Sequence, residues 1–316
     1  MIRVSAATAA LISSPGKRPR NLPICTTAYL LLGSHCSGGC RFCSASARET
    51  AGHTRLSRIT WPVVDLPVAN IISSINNCSE FKRICVQMTI DSLQDYLDLV
   101  EQITRLSSIS ISLSVNPGNR ETASGLLKLQ HVEYLSLALD AATKQVFEQV
   151  KSGSWDQHIR LLHSLAEEFP GRIRTHLIMG LGETEKELVG RMLDLKERNI
   201  AWGLFAFFPL KSTPMEHVPQ PDQARWRLIQ VLQHGILYNL LKNGSISFDS
   251  DGKVLNYHKS LAINKAINSG TPFLTTGCPG CNRPYYNERP GHTPYNFHRL
   301  PDQEEIESII EQLNGG

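Results

Sequence analysis

Six short apolar runs, each followed by a stretch with helical periodicity, occupy most of the chain between residues 27 and 242. The runs fall at about 27–33, 82–88, 108–115, 134–139, 172–179 and 202–208. Strands alternating with helices of this length need crossovers to lie side by side, so the pattern predicts βα units and an α/β fold around a parallel sheet. The helix expected at 91–106 carries Leu93, Tyr96, Leu97, Leu99, Val100 and Ile103 on its apolar side. The one expected at 184–199 opens on Thr184 with Glu187 three residues later, a capping-box pattern. A third, 221–242, follows Pro219-Gln220 and is apolar at Ile229, Leu232, Ile236 and Leu240.

The flanks differ from this core. Residues 1–24 read as an N-terminal arm, polar and Pro-rich at its end. After residue 243, Ser245–Phe248 and Lys253–Leu255 flank Asp249-Ser-Asp-Gly252, which predicts a β-hairpin. A helix at 257–268, a cysteine-bearing tail and an acidic amphipathic helix at 302–313 complete the extension. The chain therefore divides into an arm (1–24), a βα core (25–243) and a C-terminal extension (244–316). With 41% hydrophobic and 19% charged residues there is ordinary globular material for a core. A net charge of +3 is too small to indicate nucleic acid. No run of about 18 apolar residues is available to span a membrane. The run Ala6–Ile12 lacks the flanks of a signal peptide, so a cytoplasmic protein is expected.

The eight cysteines point to metal. Cys36-Ser-Gly-Gly-Cys40-Arg-Phe-Cys43 directly follows the first strand. Three thiolates on so short a loop can hold three irons of a [4Fe–4S] cluster and leave the fourth iron open. The two glycines let the backbone wrap a bulky cofactor, whereas zinc sites show paired C-x2-C halves. Tight spacings of this kind favour metal in a reducing compartment over disulfides. Cys278-Pro-Gly-Cys281 is a second knuckle, half a metal site on its own, and half a zinc site or a free thiol pair is its other reading. Cys25 and Cys85 are its candidate partners. At ~3.3 Å per residue, the strand from Cys25 to Gly33 sets Cys25 ~25–30 Å along the chain from the start of the cluster loop, at the far end of the first strand. Cys85 has the parity of Gln87, so the two face the same side. A tail folded under the sheet would gather Cys25, Cys85, Cys278 and Cys281 into a second iron–sulfur site. Cys78, in a polar stretch, reads as incidental.

The Cys36–Cys43 loop resembles the signature of the radical SAM superfamily. That resemblance implies a partial (βα)6 barrel of TIM type, with the active site at the C-terminal ends of the strands. It implies that the open iron chelates S-adenosylmethionine and that Phe42 lies against the adenine. Electron transfer then releases a 5′-deoxyadenosyl radical. Further contacts to S-adenosylmethionine are implied at the strand ends. Gln87 and Thr89 stand where the family usually has Gly-Gly-Glu for the methionine amino group. Asn116 ends strand 3, and Asp140 ends strand 4 as an acceptor for ribose hydroxyls. Gly180 and Glu183, in Gly180-Leu-Gly-Glu-Thr184, resemble a family motif that passes the adenine. Each has a plain structural reading too: a turn at Asn116-Pro-Gly118, a helix cap at Asp140, a strand end at Gly180.

Arg83-Ile-Cys85, Gly180–Thr184 and Phe208-Pro209 with Thr213-Pro214 look like biotin synthase. Strand 3, however, has no cysteine, and Arg174 stands where biotin synthase has its third. The tail Cys278–Gly291 resembles biotin-synthase-related proteins that include the two-component lipoyl synthases, and the chain has no N-terminal C-x4-C-x5-C motif of the single-chain type. This resemblance implies sulfur insertion into an octanoyl chain on a lipoyl-carrier protein or domain, with a second cluster anchored by Cys278 and Cys281 as sulfur donor. Arg283, Arg289 and Tyr285, near that knuckle, are candidates to bind substrate or seal the lumen, with surface and packing roles as their other reading. The implied partners are a companion radical SAM protein and a reductant such as ferredoxin or flavodoxin. Thiolation or a biotin-synthase-like reaction on another substrate, and a non-catalytic iron–sulfur partner subunit, are the alternatives.

Overall fold

Each of the six apolar runs forms a strand. The structure, a computed structural model, describes residues 2–13, 22–33, 36–46, 55–56, 59–89, 93–289 and 291–315. In chain order its first half comprises β1 (Ile2–Val4), α1 (Ala6–Ser13), β2 (Thr27–Leu32), β3 (Arg55–Leu56), β4 (Ile59–Thr60), β5 (Val63–Val64), α2 (Val68–Asn76), β6 (Arg83–Met88), α3 (Leu93–Leu106), β7 (Ser110–Ser114), α4 (Arg120–Leu127) and β8 (Val132–Ser136). The second half comprises α5 (Lys144–Val150), α6 (Trp155–Glu168), β9 (Ile173–Met179), α7 (Glu185–Glu197), β10 (Ala201–Ala206), α8 (Gln223–Leu237), β11 (Ile246–Phe248), β12 (Val254–Tyr257), α9 (Leu261–Ser269) and α10 (Gln303–Gly315).

The main sheet runs β10-β9-β8-β7-β6-β2-β1-β5. The six strands from β2 to β10 pair in parallel with their neighbours. They form a partial barrel, curled but not closed, with helices outside and a lumen inside. Strand β9 shows the two faces: Ile173, Thr175, Leu177 and Met179 are buried, while Arg174, His176 and Ile178 alternate with them and line the lumen.

Three expectations are corrected. The first residues are not a polar arm where they are described. β1 pairs antiparallel with β2 and β5, and α1 buries Thr8, Leu11 and Ile12. The physical reason is the free edge that β2 would otherwise expose. β8 starts two residues early and its ladder stops at Ser136. The chain then touches β9 again through Asp140, whose amide donates to the His176 carbonyl at 2.8 Å. α8 ends at Leu237, five residues before expected, because Asn239 turns left-handed at φ 58° and Leu241 folds back on Gly235. The capping box at Thr184 and Glu187 forms as expected, and so does the hairpin β11–β12. Of the helix expected at 91–106, residues 91–92 lie outside the described residues.

The extension closes the barrel's open side. α9 stops at Gly270 (φ 73°), where a Cβ would meet Pro301 at 2.3 Å. The following segment reaches the free edge of β10: Leu204 N donates to Thr276 Oγ1 (3.0 Å), Asn296 Nδ2 to the Leu204 carbonyl (3.0 Å) and Asn287 Nδ2 to the Ala206 carbonyl (2.8 Å). On the opposite side Thr26 N donates to Asn282 Oδ1 (3.2 Å), and Asn282 Nδ2 to the Ile24 carbonyl (2.6 Å). Buried Arg227 on α8 holds the tail through the Tyr295 carbonyl at 2.7 Å and the Pro294 carbonyl. Among the described residues no helix is long and apolar enough to cross a membrane.

Candidate functional site

The loop after β2 is shaped by its own glycines and by the end of α5. Gly39 is left-handed (φ 58°). Arg41 N donates to the Val150 carbonyl at 2.8 Å, and both Ser152 N and Ser152 Oγ donate to the Gly38 carbonyl. So held, Cys36, Cys40 and Cys43 face one cavity of about 300 Å³ at the C-terminal ends of the parallel strands. Burial pushes the Cys40 thiol up to about 12, against the pull of nearby Lys151. A free thiolate is therefore disfavoured there, and a thiolate bound to metal suits the site.

Phe42, Gln87, Asn116 and Asp140 line the same cavity. Thr89, Gly180 and Glu183 are not among the residues that line it. Thr89 N donates to the Leu32 carbonyl. Glu183 accepts from Gly180 N (2.7 Å) and Leu181 N (3.1 Å) and so braces the turn between β9 and α7. Gly180, at φ 101°, packs against Pro221, where a Cβ would sit 2.8 Å from Cγ.

Asp140 is the strained member: a non-glycine residue at φ 64°, buried, with Lys151 Nζ 2.7 Å from Oδ2. Lys151 Nζ also donates to the Ala138 carbonyl at 2.6 Å. Lys151, His158, His176, Phe205 and Tyr286 share the cavity but were not anticipated. His176 had a signal, since it has the same parity as Ile178 on β9.

A second, tight cavity of about 20 Å³ lies deeper in the lumen, lined by Cys85, Cys278 and Cys281 with Ser112, Ser136, Arg83 and Arg174. Arg283 lines both cavities. Parity places Cys85 and Gln87 on one face, and Gln87 Nε2 lies 3.8 Å from Cys85 Sγ. Ser112 Oγ donates to Cys278 Sγ (3.2 Å), and Tyr29 Oη lies 3.4 Å from Cys281 Sγ. Burial pushes Cys85 up to about 11 and Cys278 upward as well. Cys25 is buried outside this lining, its thiol donating to the Thr27 carbonyl at 3.2 Å, with Cys281, Glu80 and Cys78 in its neighbourhood.

Three guanidiniums surround these thiols. Arg83 and Arg174 stack on Tyr134 at 4.9 and 4.1 Å, and Arg83 pairs with half-exposed Glu133 at 2.5 Å. Arg283 sits among the rings of Tyr29, Phe205 and Tyr286 at 5.3, 5.3 and 5.0 Å, with Nη2 3.9 Å from Cys85 Sγ. Ser136 Oγ, Arg174 Nε and Arg283 Nε are buried here without partners. Buried orphans of this kind cost about 1–3 kcal/mol each unless a ligand meets them. Soft sulfur donors inside a cationic wall fit an anionic iron–sulfur group. Among the described residues no three His, Cys, Asp or Glu side chains converge tightly enough for a single metal ion; a polynuclear cluster needs its ligands spread wider.

Comparison with known proteins agrees with this geometry. The radical SAM superfamily model matches residues 30–195, more than half of the chain. Two lipoyl synthases are similar in sequence. That of Flavobacterium psychrophilum is 22% identical over 208 residues, covering 63% of this chain and 68% of that protein. That of Flavobacterium johnsoniae is 21% identical over 182 residues, covering 55% and 60%. Among solved structures, methylornithine synthase aligns with a TM-score of 0.51 at 12% identity, covering 74% of this chain and 66% of that one. The FeFe-hydrogenase maturase of Carboxydothermus hydrogenoformans aligns with a TM-score of 0.51 at 17% identity, covering 74% and 55%. Both share the fold. On the extent of the family match, the chain belongs to the radical SAM superfamily, whose cofactors are a [4Fe–4S] cluster and S-adenosylmethionine.

Proposed function

We propose that this chain is a sulfur-inserting radical SAM enzyme and one component of a lipoyl synthase, acting on an octanoyl chain carried by a lipoyl-carrier protein or domain. The observation that carries the reading is the second thiol cage, facing the first cysteine triad across Arg283. The likeness to lipoyl synthases at 22% and 21% identity supports it.

In this reading Cys36, Cys40 and Cys43 hold the first cluster, and the larger cavity takes S-adenosylmethionine and the acyl chain. Cys85, Cys278 and Cys281 hold the second cluster, with Cys25 behind Cys281. When bound, these groups supply reductive cleavage of the sulfonium, a radical able to take hydrogen from an unactivated C–H, and sulfide for the new C–S bond. The chain's own residues set the conditions. Met88, Val115, Phe147, Ile178 and Phe207 give the larger cavity an apolar wall that suits an alkyl chain and excludes water. The Asp140–Lys151 pair places a balanced charge at its polar side. Ser112 donates toward Cys278, and Arg283 sets positive charge between the two poles. Eight free cysteines suit a reducing cytoplasm. A companion radical SAM protein and a ferredoxin- or flavodoxin-type reductant are the partners this reading requires.

Two measurements test it. Anaerobic reconstitution should give about eight irons per chain, as two [4Fe–4S] clusters require. Cys278→Ala with Cys281→Ala should halve that count and leave release of 5′-deoxyadenosine intact. A wild-type count near four removes the sulfur-donor reading. Incubation with an octanoylated carrier-domain peptide and a companion protein should add the mass of one or two sulfurs, and no gain counts against lipoyl synthesis.

A further inference from the structure

The Cys278–Cys281 knuckle is a tight turn. Cys281 N donates to the Cys278 carbonyl at 3.0 Å, and Gly280 is left-handed (φ 77°), which with Pro279 before it is a type II arrangement. Its two middle carbonyls are both taken by the strand ends beneath. The Pro279 carbonyl accepts from Arg83 Nε at 3.1 Å, and the Gly280 carbonyl accepts from Thr27 Oγ1 at 3.2 Å and from Thr26 Oγ1. Each knuckle sulfur also meets a buried hydroxyl that is itself an acceptor. Arg83 Nη1 donates to Ser112 Oγ at 3.2 Å, and Ser112 Oγ lies 3.2 Å from Cys278 Sγ. The Arg283 amide donates to Tyr29 Oη at 3.2 Å, and Tyr29 Oη lies 3.4 Å from Cys281 Sγ. A hydroxyl has one proton, and among the described residues the sulfur is the one acceptor that either hydroxyl meets. Cys85, the third thiol of the cage, meets N–H groups at longer range, from Gln87 at 3.8 Å and Arg283 at 3.9 Å.

We infer that Ser112 and Tyr29 are positioning residues of the second site, each held by an upstream N–H so that its single hydroxyl proton is committed to a knuckle sulfur, and that Arg83 sets both the knuckle and the Ser112 hydroxyl. The inference rests on the reading that Cys85, Cys278 and Cys281 hold a second cluster. A thiolate bound to iron can only accept, and a donor aimed at it withdraws charge and eases reduction of the group it holds. The two relays therefore raise the reduction potential of the second site. Arg83 reaches three partners because a guanidinium is a rigid fork of donors, and Glu133 at the rim fixes its far end at 2.5 Å.

The test is an anaerobic potentiometric titration of the full-length protein carrying Cys36→Ala, Cys40→Ala and Cys43→Ala, reconstituted so that the second site alone holds iron. In this background Ser112→Ala and Tyr29→Phe should each make one-electron reduction about tenfold less favourable, the weight of one hydrogen bond, which is a potential about 59 mV lower. Together they should give about a hundredfold, because they serve different sulfurs. Arg83→Lys keeps the charge but not the fork, so it should lower the potential, and by much less once Ser112→Ala is present. Potentials unmoved by Ser112→Ala and Tyr29→Phe, with iron content held, overturn the inference and leave the second cluster standing. A folded background protein that takes up no iron overturns both. Equal effects of Arg83→Lys with and without Ser112→Ala overturn the role of Arg83. Should Arg83→Lys not fold, Arg83→Gln takes its place, since the charge it removes is lost equally on both sides of the comparison and cancels.

Discussion

Replacing Arg283 with methionine should have opposite effects on the empty and the cluster-loaded protein. The guanidinium is buried, and among the described residues no carboxylate forms an ion pair with it. Its compensation is three aromatic faces at 5.0–5.3 Å and a thiol at 3.9 Å. Cation–π contacts contribute about 0.5–2 kcal/mol each, so three of them only about balance a desolvation penalty of several kcal/mol. In the metal-free protein, Arg283→Met should therefore be neutral or mildly stabilising. Loaded thiolates change the balance, since a unit charge about 4 Å away at an effective dielectric near 20 is worth about 4 kcal/mol. Losing most of that, about 3 kcal/mol, corresponds to roughly a 150-fold loss in affinity for the second cluster. The assay pairs anaerobic urea unfolding of the chelator-stripped protein with iron release to a chelator from the reconstituted one. Release from the second site should accelerate strongly while stability of the stripped form holds. A stripped form weakened by several kcal/mol, with iron release unchanged, would refute the reasoning and leave Arg283 as a packing residue.

Three further outcomes are expected. Lys151→Met leaves the buried Asp140 carboxylate alone and should cost about 3–5 kcal/mol, largely restored by adding Asp140→Asn, as read by urea unfolding. Gly180→Ala forces a Cβ to 2.8 Å from Pro221 at φ 101°, so a loss of about 1–3 kcal/mol is expected in thermal or chemical unfolding. His158 and His176 are both held neutral by burial, each with its pKa lowered to about 4. The unfolded chain takes up their protons first, so their contribution is complete above the ordinary histidine value and is lost as pH falls from about 6.5 through about 4. His176→Phe should flatten that limb of a stability–pH curve by up to roughly 3 kcal/mol, and an unchanged slope would contradict it.

What the sequence disclosed was local. The β-type runs, the cysteine loop and the Thr184–Glu187 box each lie within a few residues; every run gave a strand, β8 two residues early, and the box formed as expected. Parity carried Gln87 and Cys85 onto one face because a strand's period is two. Strand β1 was missed because Ile2-Arg3-Val4 becomes a strand only through the free edge of β2. Lys151 and His158 are lone polar residues at or on helices, brought to the lumen by packing that no spacing records. Strand-end position alone did not separate residues that line the cavity, such as Asn116 and Asp140, from Thr89, Gly180 and Glu183, which do not. Strand-length arithmetic put Cys25 at the correct end of β2, but not the direction of its thiol, which donates to the Thr27 carbonyl.

The seal between the tail and the first strand also sets an order of events during synthesis. Asn282 meets Thr26 across 256 residues of chain. At 5–20 residues per second, a ribosome needs roughly 13–50 s to make that interval. For that time β2 and β6 can form and α-helices can dock, while Cys85 still lacks the Cys278–Cys281 knuckle. The deep end of the lumen is completed only late in synthesis, and whatever loads it has a window that opens with β6 and closes with the arrival of the tail.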